Sequence, residues 1–298
     1  MLQIEVYNDR FLSLVDPNQE FKKLGDFGGV PEGIIWSEHH QQLTFNSLTN
    51  QKTWRIYSDG SVKQLREKTN IANGMAFDSK GNIVVCEQIG YRIGYADNDF
   101  SSYEIVADSY NGKPFNSPND VVVHSDGTIL FTDPAFGRRP TRHGRFSSLP
   151  QPVQGVYSLD PKTWEVKLVC DDLDTPNGLV FSPDEKKIYF ADTGLSEIIA
   201  FDYCDGKMSN KKVLAHTLQK GSRRPDGIKI DSLGNIWCDC EGGLQVYDPD
   251  GNVLGLIRTP QESCQFCFGG SDMKTIFFGS EFDLLSFRTK IPGIQLRW

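Results

Sequence analysis

Five short tripeptides recur along the chain, each ahead of an apolar run: Pro31-Glu32-Gly33, Ala72-Asn73-Gly74, Pro118-Asn119-Asp120, Pro176-Asn177-Gly178 and Pro225-Asp226-Gly227. Their central residues are two carboxylic acids and three carboxamides. Brought to one point, they would offer oxygen donors with no sulfur and no imidazole. That is the set a hard cation demands: Ca²⁺ takes about six to eight oxygens, whereas zinc favours His or Cys. Two acids also balance a doubly charged ion, and burying Glu32 and Asp226 together without a cation would force a proton onto one of them. A competing reading is that Asn-Gly and Asp-Gly simply make turns. It accounts for the glycines but not for Glu32, a poor turn former, in the same place. The expected cofactor is a divalent metal ion, Ca²⁺ ahead of Mg²⁺, Mn²⁺ or Zn²⁺.

The elements that must position these residues are visible as a repeat. VPEGIIWSEHHQQLTF from Val30, IANGMAFDSKGNIVVCE from Ile71, SPNDVVVHSDGTILFTD from Ser117, TPNGLVFSPDEKKIYFAD from Thr175 and RPDGIKIDSLGNIWCDC from Arg224 share one pattern. Each is an anchor, a short alternating strand, a polar turn and a second β-rich strand. SCQFCFGGSDMKTIFFGS from Ser263 keeps the strands without the anchor. Two more strands follow in most copies, as in GVYSLD and WEVKLV, with Asp-Gly turns in several hairpins. Four antiparallel strands repeating every ~40 to 45 residues predict a β-propeller. A β-sandwich has no reason to repeat the same anchor before the same strand.

Six blades fit the 298 residues as a single all-β domain, at roughly 30–65, 71–106, 117–169, 175–214, 224–257 and 262–288. The last blade runs short of a strand. The β-rich N-terminal segment 4–15 is expected to supply it, so that the termini meet in one blade.

In such a ring the first strand of each blade lines the channel, so the anchors surround one mouth. The second strand runs back, which brings its end to the same mouth. Asn46, Glu87, Asp133, Asp192 and Asp239 stand there and could orient ligands, meet substrate hydroxyls, or be exposed loop acids. An insertion in the third blade, PAFGRRPTRHGRFSSLPQP from Pro134, carries Arg138, Arg139, Arg142, His143 and Arg145. It is either a lid attracting an anionic group or a solvated loop. Asn73, Asn119, Glu87, Asp133 and Arg138 are the candidate substrate contacts.

Bulk properties mostly exclude. Thirty-one Lys plus Arg against 39 Asp plus Glu give a net charge of −8, which argues against nucleic acid or an anionic membrane as partner. There is no run of apolar residues long enough to span a bilayer, and Glu5, Asp9 and Arg10 interrupt the start, so a cytoplasmic location is expected. Seven scattered cysteines read as free thiols. Cys264 and Cys267 stand three apart on one strand and so point to opposite faces, while Cys238 and Cys240 share a face without a second pair. No nucleophile elbow, zinc-protease helix or nucleotide loop is present. Neither heptads nor an apolar edge indicates an oligomeric state.

At these residues the chain resembles the gluconolactonase and senescence-marker-protein-30 (regucalcin-like) family of six-bladed propellers, and is also similar to the squid-type diisopropyl fluorophosphatase. SPNDVVVHSDGTILFTDPAFG, PVQGVYSLDP, TPNGLVFSPDEKKIYFADT and RPDGIKIDSLGNIW carry the likeness, which spans almost the whole chain. The resemblance implies that Glu32, Asn119, Asn177 and Asp226 are divalent-metal ligands, with Asn119 on metal or substrate. One departure is Gln88, where family members often have His after Cys-Glu. If that histidine shuttles a proton, the role is vacant here.

The chemistry that fits is hydrolysis of a sugar lactone, a small-molecule substrate, with a metal polarising the carbonyl and a carboxylate deprotonating water. Asp226 is the expected base and Glu32 the alternative. A phosphotriester (organophosphate) hydrolase on the same site, and a non-enzymatic metal-binding propeller, are the competing readings.

Overall fold

The protein's structure, a computed structural model, describes residues 1–138, 149–218 and 225–294. Among the described residues it is an all-β ring of six antiparallel blades, with a two-stranded ribbon of Ser109–Tyr110 and Lys113–Pro114 beside them and two short 3₁₀ turns, Asp9–Ser13 and Phe136–Arg138, as the helix present. From channel outward, blade 1 holds Pro31–Ser37, Gln42–Ser47, Lys52–Ile56 and Val62–Glu67; blade 2 holds Ala72–Phe77, Ile83–Glu87, Arg92–Ala96 and Tyr103–Ala107. Blade 3 is Val121–Val123, Ile129–Thr132, Val156–Leu159 and Val166–Cys170, and blade 4 is Pro176–Phe181, Lys187–Asp192, Glu197–Cys204 and Lys207–His216. Blade 5 contains Ile228–Ile230, Ile236–Cys240, Gly243–Tyr247 and Val253–Arg258; blade 6 contains Ser263–Gly269, Thr275–Ser280 and Asp283–Arg288.

The ring is closed by an N-terminal strand, but that strand is Lys22–Asp26, paired antiparallel with Asp283–Arg288, and not the segment 4–15. Residues 4–15 do something else. Gln3–Val6 adds a fifth strand to blade 5 against Val253–Arg258, where Glu5 pairs with Arg258. The Asn8 side chain then caps the turn at Asp9–Ser13 by accepting from the Arg10 N–H at 3.0 Å. This turn drives Phe11, with Leu14 and Val15, into the apolar layer between blades 5 and 6. Its ring lies where a Cβ on Gly255 would stand, 2.3 Å away. The physical reason for the difference is exposure. An outermost strand faces water, so the closing sequence Lys22-Lys23-Leu24-Gly25-Asp26 carries little apolar signal, whereas 4–15 is apolar because it plugs an interface.

Apolar side chains fill the gaps between neighbouring blades. Ile35 meets Met75 and Val85 between blades 1 and 2; Val84, Phe131 and Tyr157 pack between 2 and 3; Leu130, Phe181 and Phe190 between 3 and 4. Ile198 and Ile236 pack between 4 and 5, Trp237 and Phe278 between 5 and 6, and Phe45 and Leu284 between 6 and 1. Each fully buried side chain of this size contributes about 1.5–3 kcal/mol. The anchors are therefore mounted on a frame held from both sides. Cys86, Cys170, Cys204, Cys238, Cys240 and Cys267 are free thiols. The Cys264 side chain, together with Arg139, Arg142, His143 and Arg145 of the insertion, lies outside the described residues. No helix among the described residues is long and apolar enough to cross a membrane.

Candidate metal centre at the channel mouth

Glu32, Asn73 and Asn177 lie within the first two residues of their inner strands, and Asn119 and Asp226 lie two residues ahead of theirs. All five thus stand at the same end of consecutive channel-lining strands. Hydrogen bonds between blades hold the backbones of four of them, Asn73, Asn119, Asn177 and Asp226. The Asn46 side chain of blade 1 donates through Nδ2 to the Asn73 carbonyl at 2.8 Å. Gly74 N–H of blade 2 donates to the Asn119 carbonyl at 2.8 Å. Thr132 Oγ1 of blade 3 donates to the Asn177 carbonyl at 2.8 Å, and Gly178 N–H of blade 4 donates to the Asp226 carbonyl at 3.2 Å.

This belt explains the glycines better than a turn does. A Cβ on Gly33 would fall 1.9 Å from the Asn73 carbonyl oxygen, and one on Gly178 would fall 2.4 Å from that of Asp226. Only a residue without a side chain lets the next blade's anchor approach so closely. In blade 3 the belt bond comes from Thr132 instead, and the position after the anchor is Asp120. Its Oδ1 accepts from Val121 N–H at 2.9 Å, while Oδ2 faces Gln265 Nε2 at 3.3 Å and Lys229 Nζ at 4.0 Å. These three polar groups line a channel cavity of about 140 Å³ otherwise walled by residues such as Ile34, Met75, Val122 and Val180.

Glu32, Asn73, Asn119 and Asn177 are 4–6% exposed, whereas Asp226 is only partly buried. Among the described residues no three His, Cys, Asp or Glu side chains converge as a metal-holding group. A cation at this mouth would therefore draw on carboxamide oxygens as well as on Glu32 and Asp226. That donor set, two acids and two or three amides with no nitrogen or sulfur ligand, fits a hard divalent ion.

The residues at the second-strand ends behave differently. Asn46 Oδ1 accepts from Thr53 Oγ1 at 2.7 Å, which leaves its Nδ2 for the belt. Asp133 is fully buried and accepts from the Asn116 and Ser117 N–H groups at 2.8 and 2.6 Å. Burial pushes its carboxyl up to about 7, against the opposing pull of those two donors and of Arg138. Asp192 takes the N–H groups of Asp174 and Thr175 at 2.8 and 3.1 Å, the same arrangement one blade on. Asp239 Oδ1 accepts from Ser263 Oγ at 2.6 Å. These side chains brace the segments that lead into the inner strands.

Glu87 is saturated. Its oxygens accept from Arg66 Nη2 at 2.8 Å, Tyr103 Oη at 2.5 Å, Asn70 Nδ2 at 2.9 Å and Arg92 Nε at 2.7 Å. Desolvation pushes the carboxyl up, but these four donors outweigh it and hold the group below the ordinary value. Arg138, 9% exposed, donates to the Asn116 and Phe115 carbonyls at 2.5 and 2.7 Å, and its guanidinium stacks on Tyr91 at 3.6 Å. It fastens the 115–117 segment. Gln88 is 3% exposed; its carboxamide oxygen is buried with no hydrogen-bond partner among the described residues, and an amide there cannot exchange a proton as imidazole does.

Thr132 and Thr193 escape sequence reasoning, because their importance lies in bonds to the next blade. Their only signal is position, at or just past the end of a second strand.

The family profile described as SMP-30/Gluconolactonase/LRE-like region matches residues 30–281. A gluconolactonase from Zymomonas mobilis is 31% identical over 98% of this chain and 87% of its own length. A regucalcin from Xenopus laevis is 29% identical, covering 85% of this chain and 84% of its own. Among solved structures, a gluconolactonase from Xanthomonas campestris superposes with a TM-score of 0.88 at 31% identity, covering 96% of this chain and 94% of that one.

Proposed function

For a chain that belongs to the SMP-30/gluconolactonase family, we propose metal-dependent hydrolysis of a sugar lactone to the open-chain sugar acid, at the anchor mouth of the propeller. The observation that carries this reading is the belt that holds Asn73, Asn119, Asn177 and Asp226, with Glu32 at the same end of the blade 1 inner strand. The gluconolactonases at 31% identity over nearly the full chain support the choice of substrate class.

Glu32, Asn177 and Asp226 hold the divalent cation through oxygen, with Asn119 contacting the metal or the substrate. Ca²⁺ suits the donors best, and Mg²⁺, Mn²⁺ or Zn²⁺ are the alternatives. When bound, the ion supplies Lewis acidity toward the lactone carbonyl. Asp226 is the general base. It is the more accessible of the two anchor acids, so water can reach it, and its backbone is fixed on both sides by Gly178 N–H and the Asp239 carbonyl. It takes a proton from the attacking water as the water oxygen bonds to the acyl carbon. As the ring C–O bond breaks, the proton passes to the leaving ring oxygen, giving one hydroxy acid.

Asn73, 6% exposed at the blade 2 anchor, is the remaining candidate for a substrate hydroxyl. Glu87, Asp133 and Arg138 do not enter this assignment, because their polar atoms serve the scaffold.

Acid release from D-glucono-1,5-lactone and other aldonolactones, compared with paraoxon-like esters, tests the proposal. Aldonolactones are expected to turn over faster. Preference for the phosphotriester would move the reaction class, and no hydrolysis after reconstitution with each of the four metals would make the site a structural one.

A further inference from the structure

The end of the second strand of blade 4 carries a hydroxyl that touches both sides of the metal centre. Thr193 Oγ1 donates to the Pro225 carbonyl at 2.7 Å and accepts from Asn177 Nδ2 at 3.1 Å. Pro225 immediately precedes Asp226, and Asn177 is the blade 4 anchor. One side chain therefore joins the anchors of two neighbouring blades.

The direction of the two bonds matters more than their number. A threonine hydroxyl has a single proton, and here it is committed to the Pro225 carbonyl, which can only accept. Whatever Asn177 turns toward Thr193 must then be a donor, which is its amide nitrogen. The carboxamide oxygen is left on the opposite side. A carboxamide is useful to a cation only through that oxygen, and the flipped rotamer would present two N–H groups instead. An isolated asparagine has little reason to prefer one flip over the other, so something must choose.

We infer that Thr193 is a positioning residue that sets the flip of Asn177, so that Oδ1 is offered to the cation, and that couples this orientation to the segment carrying Asp226. The inference rests on the metal reading above. It makes Thr193 a determinant of cation affinity that acts through Asn177 and Pro225. Partners that orient a ligand in this way are commonly worth 10- to 100-fold in metal affinity.

The test is Ca²⁺ affinity of the full-length protein by titration calorimetry, with thermal melting in EDTA as a check that each variant folds. Thr193→Val removes both the donor and the acceptor, and is expected to weaken Ca²⁺ binding ~10- to 100-fold. Thr193→Ser restores both and should bind within about threefold of wild type. Thr193→Ala takes the place of the valine variant should the second methyl prevent folding.

The decisive arm uses Asn177→Asp, whose two terminal atoms are both oxygen and need no flip. In that background the Thr193→Val penalty should shrink to under about threefold. A penalty of the same size there would mean that Thr193 merely supports the loop, and the inference would fall. Unchanged Ca²⁺ affinity in Thr193→Val, alongside a large loss in Asn177→Leu, would also overturn it while leaving the metal centre standing. Wild type that takes up none of Ca²⁺, Mg²⁺, Mn²⁺ or Zn²⁺ would instead sink the metal reading, and this inference with it.

Discussion

The boundary between blades 4 and 5 and the boundary between blades 2 and 3 reach the same mouth with similar residues, yet use them in opposite ways. At the first, Asn177 gives its amide nitrogen to Thr193 and keeps its oxygen turned away, while Asp226 is partly open to water. At the second, Glu87 accepts from two arginines, a tyrosine and an asparagine, Asp133 is sealed under two backbone N–H groups, and Arg138 is spent on two carbonyls and a ring. A charged group near a mouth becomes a strut when the scaffold fills its hydrogen-bonding capacity. It is available for chemistry when, like Asp226, it keeps part of its surface open to water. Place in the fold nominates a residue; the neighbours' donors and acceptors decide its role.

The largest effect that can break this contrast is on turnover. Asp226→Asn should lower kcat for a gluconolactone by about 10²- to 10⁴-fold while Ca²⁺ stays bound, as followed by acid release and calorimetry on the same preparation. Intact turnover would remove Asp226 as the base.

Glu87→Gln should do the reverse. It leaves the partly buried Arg66 and Arg92 without their carboxylate, so unfolding in urea should show a loss of about 1.5–3 kcal/mol at neutral pH, with kcat per folded molecule within about threefold. The sign of its pH dependence follows from the depressed carboxyl. The stabilisation is fully present above the ordinary carboxylate range and is lost as pH falls through the lowered value, so the gap between wild type and variant should close in acid.

Asp133 carries the opposite sign. Its folded carboxyl, near 7, lies above its unfolded value of 3.8, so between those values the native state holds more protons and stability falls as pH rises. Asp133→Asn should lack that slope, whatever its overall stability, and a series of urea midpoints across this window measures it. An identical slope in the variant would place the buried proton elsewhere.

The smallest effect is expected at Arg138. Arg138→Met should cost about 1–3 kcal/mol of stability through the released Phe115 and Asn116 carbonyls. The ratio of kcat/KM for neutral and carboxylated lactones should stay unchanged. A selective loss on the carboxylated substrate would return Arg138 to the binding site.

Much of the ring is legible in the chain because the second strand of each of blades 2 to 5 is buried on both faces. Val84, Phe131, Phe190 and Trp237 leave an apolar signal that repeats with the anchor ahead of it. The closing strand is the opposite case: Lys22 and Lys23 are exposed on an outer edge, and such a strand is defined by its partner Asp283–Arg288 far along the chain. The segment 4–15 misleads for the same reason in reverse, since Phe11 is apolar in order to plug two blades rather than to extend one.

At the mouth, the anchors can be found from sequence because a repeat puts like residues in like places. The belt cannot, because Thr132–Asn177 and Thr193–Pro225 join residues 45 and 32 apart through contacts that no local pattern encodes. Nor does the sequence reveal that Glu87 and Arg138 turn into the scaffold, since either type can face water or protein at the end of a strand.

The central claim is that the anchor oxygens hold a cation on which lactone hydrolysis depends. Acid release from D-glucono-1,5-lactone by protein stripped with EDTA, before and after a Ca²⁺ titration, tests it most directly. Hydrolysis should fall to the uncatalysed rate on stripping and return in step with occupancy of one site per chain. Full activity in the stripped protein, with no bound metal by elemental analysis, would contradict the account.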